Sequence, residues 1–304
     1  MPASAGMTDY YLGTPVFSNI PSKTFRQSSA LAIPIVDNDP SVRLSDFNRT
    51  ISIARRERAV AEHSKMTAAE AKQKAEVIRK VILDTYKNEV KPSPFFTDLR
   101  AGTLSQARLQ GWIRNWYSFA LEVNTGMATV YHQFVGFFKR HPELENRIAQ
   151  KIGEEFTTPA IGGHARMLPI LGKALGVSND EMIECELIPE ARGLVDFFVR
   201  SWIDIPLAEC FAVHMEEEIF GFISRDFRQS LPKYGVSNED MKYFRVHEEA
   251  DLDEDHGGTN QAILEVALQE GYGNERAGWP LEYCGKIAVQ MIGNFYDGVY
   301  RRYA

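Results

Sequence analysis

Apolar positions recur every three or four residues through most of this chain, and no segment alternates apolar with polar residues as a half-buried strand would. The clearest case runs from Leu104 to His141, where Trp112, Trp116, Tyr117, Phe119, Phe134, Phe137 and Phe138 crowd an amphipathic helix or helix pair. The same period returns in Pro142–Phe156, Arg166–Leu175, Pro189–Phe198, Ile205–Tyr234, Asn238 to about His256, Asn260–Gln269 and Pro280–Arg302. The pattern predicts an all-α bundle of about seven core helices, an architecture that builds metal sites from side chains on facing helices.

Upstream of this body the pattern changes. Residues 1–44, rich in Ser, Pro, Thr and Ala, lack helical periodicity and read as an extended arm. Ser45 to about Asn88 reads as two helices broken near Ser64–Thr67, where Thr67 is placed as an N-cap with Glu70 three residues later. The run Lys91-Pro92-Ser93-Pro94 punctuates the chain, so residues 45–90 form a helical extension and 91–304 the core domain. Within the extension, Ile51, Ile53, Ala59, Val60, Ile78, Val81, Ile82 and Tyr86 are too many apolar residues for freely solvated helices. They must cover either their own core or another chain, which makes 45–90 a candidate homodimer element.

Composition narrows the function classes. The 304 residues are 44% hydrophobic, ample for a buried core, and the formal net charge of -7 with no basic stripe argues against a nucleic-acid binder. Cys185, Cys210 and Cys284 are odd in number and widely spaced, suggesting neither a disulfide framework nor a zinc motif. The segment MPASAGMTDYY lacks the basic and apolar regions of a signal peptide, and no long uncharged apolar run occurs. A soluble, cytoplasmic protein without membrane association is expected.

The densest candidate chemistry lies in Lys242–Gly258, KYFRVHEEADLDEDHGG. At ~100° per helical residue, His247 and Asp251 differ by about 40°, and Glu254 returns to within about 20° of His247. His256 would face the opposite side unless the helix bulges or unwinds near Gly257-Gly258. Three readings compete. One is a solvated acidic helix end. A calcium loop is the second, but His256 replaces its turn glycine and Ala262 stands where the bidentate Glu belongs. The third is a transition-metal site of imidazoles and carboxylates. Two other segments offer ligands to it: Glu154, Glu155 and His164 in KIGEEFTTPAIGGH, and Glu216, Glu217 and Glu218 in an apolar, aromatic run that must bury at least one of them.

The order of these features resembles the haem-oxygenase-like di-iron oxidases and oxygenases, relatives of the TenA thiaminases and of pyrroloquinoline-quinone synthase. The likeness spans roughly two thirds of the chain from about Pro94, through PFFTDLRAGTLS, an aromatic helix, GEEFTTPAIGGH, LGKALGVSNDEM, MEEEIF, KYGVSNEDMKYF and YFRVHEEAD. It implies a haem-oxygenase-like helical bundle. It also implies a ligand set of Glu155 (Glu154 as fallback), His164, Glu217 (then Glu218 and Glu216), His247, Asp251 and His256, holding two Fe(II) ions with O2 as co-substrate. Glu122 on the aromatic helix would be an additional ligand.

The last helix departs from the family's pattern. Where the family has a histidine seven residues after the first, this chain has Glu254, and the histidine stands at His256. Either Glu254 ligates, or local unwinding brings in His256, or the second metal is held weakly. The frame Glu249, Asp253, His256 keeps the spacing but spoils the YFxxH alignment. By resemblance the reaction is oxidation of a small amine, amino acid or fatty-acid-like metabolite, with N-oxygenation ahead of C–C cleavage or desaturation. The alternatives are a metal-independent, thiaminase-like or quinone-synthase-like enzyme, the thiaminase form with Cys210 as nucleophile, and a non-catalytic helical interaction protein.

Overall fold

Local sequence signals set most helix boundaries in the computed structural model, which describes residues 65–157, 163–249, 251, 256–272 and 280–304. The extended arm, the helix expected before residue 64, and Glu254 lie outside the described residues, as does the side chain of His256. Helix α1, Ala68–Thr85, starts at Thr67 with a reciprocal cap: Thr67 Oγ1 accepts from the Glu70 amide at 3.3 Å, and Glu70 Oε2 accepts from the Thr67 amide at 2.8 Å. A π-helical turn, Tyr86–Val90, leads through Lys91–Ser93 into α2, Pro94–Ala101, whose first-turn proline gives up no needed donor.

The longest early element, α3, covers Gln106–Gln133, and α4 (Val135–Arg140) and α5 (Pro142–Thr157) follow it. A 3-10 turn at His164–Met167 enters α6, Leu168–Ala174, and α7 spans Asn179–Ile183. Then come α8 (Pro189–Ile203), α9 (Leu207–His214), α10 (Glu217–Ser230), α11 (Lys242–Glu248), α12 (His256–Glu270) and α13 (Leu281–Arg302). All secondary structure among the described residues is helical, and no helix among them is long and apolar enough to cross a membrane.

The apolar stripe of α3, with Trp112, Trp116, Ala120, Val123 and Met127 at helical spacing, is buried. Helix α3 packs along α8, α10 against α11, and α9 between α12 and α13. The Trp112 ring lies tilted 4.5 Å from that of Phe227, which in turn lies nearly parallel to Phe244 at 4.5 Å. Each such buried ring removes enough apolar surface to contribute about 2–3 kcal/mol.

Four sequence-based expectations change here. The punctuation at residues 91–94 is a tight turn inside one core, because Ala71, Ala75, Ile78 and Ile82 of α1 are fully buried against α12 and α13. Among the described residues one compact unit runs across it, from α1 to α13. For the same reason Ile78, Ile82 and Tyr86 cover their own core and are not available to a second chain. The segment Ile205–Tyr234 is not one helix but breaks at Met215–Glu216, between α9 and α10. The helix expected from Asn238 to about His256 is α-helical only to Glu248, and Glu249 and Asp251 take π-helical character.

Helix α9 is buried all round, and this gives Glu209 an unusual environment. Its Oε1 has no hydrogen-bond partner among the described residues, and burial pushes its carboxyl up to about 7. A carboxyl raised in the folded state contributes stability that is complete below its unfolded value and is lost as pH rises through about 7. Between pH 5 and pH 8 this loss is on the order of 2–3 kcal/mol. Glu209→Gln should flatten that dependence in urea unfolding at the two pH values; an unchanged slope would remove Glu209 as its source.

Candidate metal centre

The end of α5 places Glu155 with its side chain 11% exposed, close to the 3-10 turn that carries His164. Glu155 Oε1 lies 3.1 Å from His164 Nδ1, and Oε2 accepts from Asn124 Nδ2 of α3 at 2.5 Å. Gly163 makes this approach possible. Its φ is +59°, and a Cβ there would sit 1.6 Å from the carbonyl oxygen of Glu155, which no side chain permits. Gly163, directly before His164 in the sequence, is therefore a positional requirement of the site.

The third member comes from α11. His247 is buried, and its ring lies 4.7 Å from that of His164, edge to face. Its Nδ1 donates to the carbonyl oxygen of Tyr243 at 2.8 Å, which fixes the tautomer and leaves the lone pair on Nε2. Tyr243 is itself held by Trp116, whose Nε1 donates to the phenol oxygen at 3.0 Å. One ligating atom each from Glu155, His164 and His247 lies within 4.8 Å of the other two. Two metal–ligand bonds of about 2.1 Å span at most about 4.2 Å, so a fraction of an ångström of side-chain closure suits a bound ion.

Electrostatics keep Glu155 able to ligate. Burial pushes its carboxyl up, but the His164 hydrogen bond and the charges of His164, His247 and Lys151 outweigh it and leave the group below its ordinary value. Glu216, buried at the break between α9 and α10, goes the other way: burial, and then the charges of Glu217 and Asp251, hold its carboxyl well above the usual range. Apart from His164, these groups line one cavity of about 60 Å³, room for ordered water or a small ligand. Its polar side carries Glu155, Glu216, Glu217, His247 and Asp251; Trp116, Phe119, Val123, Met127 and Phe220 form the apolar side.

The expected ligands separate into groups. Glu155, His164 and His247 form the cluster, and Asp251 is buried on the same cavity. Glu154 instead accepts from Gln150 at 2.8 Å on the exposed side of α5. Glu217 faces the cavity but is ion-paired with Lys151, and its Oε2 accepts from Asn260 Nδ2 at 2.9 Å. Glu218 pairs with Arg79, and Glu122 is exposed in a pair with Arg192 at 3.0 Å. Glu122 is not among the cavity-lining residues, so the additional ligand expected from α3 is corrected: the solvent side of the helix carries it. Lys151, Asn124, Tyr243 and Asn260 were missed. Of these only Lys151, four residues before Glu155 on one helix, had a sequence signal.

Residues 60–270, more than two thirds of the sequence, match the TENA/THI-4/PQQC family. The chain belongs to that family. Its fold is haem-oxygenase-like, as in a domain of unknown function from Shewanella denitrificans (TM-score 0.55, 13% identity, 79% of this chain and 94% of that one). A TenA homologue from Pseudomonas syringae pv. tomato superposes with a TM-score of 0.60 at 15% identity, covering 79% of this chain and 98% of its own. A CADD-like protein of unknown function from Nostoc punctiforme gives 0.55 at 13% identity, covering 76% and 98%. No curated protein sequence matches. The family places the chain in a superfamily of haem-oxygenase-like enzymes.

Proposed function

We propose that this family member is a non-haem iron oxygenase that uses O2 to oxidise a small molecule, with N-oxygenation of an amine as the favoured outcome. The observation that carries the reading is the buried cluster of Glu155, His164 and His247, because two imidazoles and one carboxylate are the usual donor set for ferrous iron that activates oxygen. Asp251 and Glu217 on the same cavity, with His256, are the proposed donors for a second ion. Iron would supply the electrons that O2 needs to react at ambient temperature.

The chain's own residues prepare the site. Asn124 fixes one oxygen of Glu155, and the Tyr243 carbonyl fixes the tautomer of His247, so little reorganisation is left for ligation. The aromatic wall of Trp116, Phe119 and Phe220 excludes bulk water from the reacting side. The cavity volume favours a small or slender substrate. A thiaminase-like reading with Cys210 as nucleophile is the weaker one: Cys210 is fully buried, does not line the cavity, and burial holds its thiol well above the ordinary range.

The test is anaerobic loading with ferrous iron, metal analysis, and then mixing with oxygen in the presence of small primary amines. Iron retention together with O2 uptake and products one oxygen atom heavier are expected. A protein that retains no iron and consumes no oxygen would overturn the proposal.

A further inference from the structure

Lys151 is the residue whose position the metal-site reading does not explain. It lies one helical turn before Glu155 on α5, so its side chain enters the same cavity, where it is 4% exposed. The ammonium is ion-paired with Glu217 of α10 and donates to Asn260 Oδ1 of α12 at 3.2 Å. Asn260 Nδ2 in turn donates to Glu217 Oε2 at 2.9 Å and to the His214 carbonyl at 2.7 Å. A lysine is costly to bury unless it is paired, and here three helices converge to pair it. The oxygen that it holds, Glu217 Oε2, belongs to a carboxylate that a second metal ion would need.

We propose that Lys151 is an internal counter-cation standing in the place of a second metal ion, so that metal loads in two unequal steps and the second ion must displace Lys151 from Glu217. This inference rests on the metal-site reading given above. Four carboxylates, Glu155, Glu216, Glu217 and Asp251, line the cavity with Lys151 as the one Lys or Arg among its lining residues. Each divalent ion adds two positive charges beside the Lys151 ammonium, so a second ion meets one cation more than it would without the lysine. The penalty falls on the second step because Lys151 contacts Glu217, while the Glu155 oxygens already have partners in His164 and Asn124. At protein-like effective dielectric, two like charges at such range repel strongly enough to weaken binding by well over tenfold.

The experiment is anaerobic titration of the full-length protein with Mn(II). Stoichiometry is read by elemental analysis, and the spin state by electron paramagnetic resonance, which separates an isolated ion from a coupled pair. Wild type should bind a first ion at least about tenfold more tightly than a second. Lys151→Met should tighten the second step at least about tenfold, and by more than it tightens the first, and bring in the coupled signal at lower metal; Lys151→Arg should behave as wild type. Where Lys151→Met folds poorly by circular dichroism, Lys151→Gln, which keeps a donor for Glu217 and Asn260, serves with the same expectation. Two equal steps in wild type, no gain in the neutral variants, or the same gain in Lys151→Arg would overturn the inference and leave the metal centre standing. Failure of wild type to bind even one ion would overturn the metal-centre reading with it.

Discussion

His247→Ala should lower the affinity for the first ferrous ion by at least about 100-fold, since even the hydrogen-bond partners of metal ligands are worth 10–100-fold when removed. The variant keeps its fold: the lost imidazole leaves a small void beside Phe220 and Tyr243, whose rings lie 5.0 and 4.2 Å away, for a cost of roughly 1–3 kcal/mol. The matched control is His214→Gln. His214 lines the same cavity, but it stacks on Trp202 at 3.4 Å, and its Nε2 pairs with Ser201 Oγ at 2.6 Å. That variant should bind iron within about threefold of wild type, because it removes no member of the cluster. Equilibrium iron binding under anaerobic conditions, with thermal unfolding of each variant, makes the comparison. Iron binding by His247→Ala that matches wild type would remove His247 from the centre.

Gly163→Ala is expected to do more damage than a methyl group added at any other described glycine. The new Cβ would lie 1.6 Å from the Glu155 carbonyl oxygen and 2.3 Å from its carbonyl carbon, both backbone atoms that cannot rotate away. The backbone there, with φ +59° and ψ -156°, lies in a region essentially reserved for glycine and adds about 1–3 kcal/mol, and overpacking about 1–3 more, so a loss of roughly 2–6 kcal/mol follows. The displacement would also separate His164 from Glu155, so metal affinity should fall together with stability. Chemical unfolding and metal titration of this variant, beside Gly153→Ala on α5, test the point, since a Cβ at Gly153 meets nothing within 4 Å. Equal behaviour of the two variants would show that the close approach at Gly163 has no structural weight.

Much of the fold was legible because helix formation is written locally. The 3.6-residue period marked α3, α5, α8 and α13, and the Thr67–Glu70 pair marked the start of α1, since a cap depends only on residues three apart. The same period puts His247 and Asp251 on one face, and both line the cavity. Periodicity could not show that the Ile205–Tyr234 run breaks at Met215–Glu216, because both halves carry apolar residues at compatible spacing. Nor could it tell whether the apolar face of α1 meets its own core or another chain, a choice made by α12 and α13, roughly two hundred residues downstream.

For the candidate site, the sequence by itself determined which residue types were on offer: adjacent glutamates before His164, three acids in an apolar run, and a histidine and an aspartate one turn apart. Only the tertiary structure decided among them. Glu155 turns inward and Glu154 outward because the rotation of α5 about its axis is set by its packing, and neighbours in sequence lie ~100° apart on a helix. Glu217 meets Lys151 and Asn260 instead of facing the cavity alone because three helices distant in sequence converge there. Pairings of that kind depend on through-space distance and on the cost of leaving a buried charge unpaired, and neither quantity is carried by the spacing of residues along a chain.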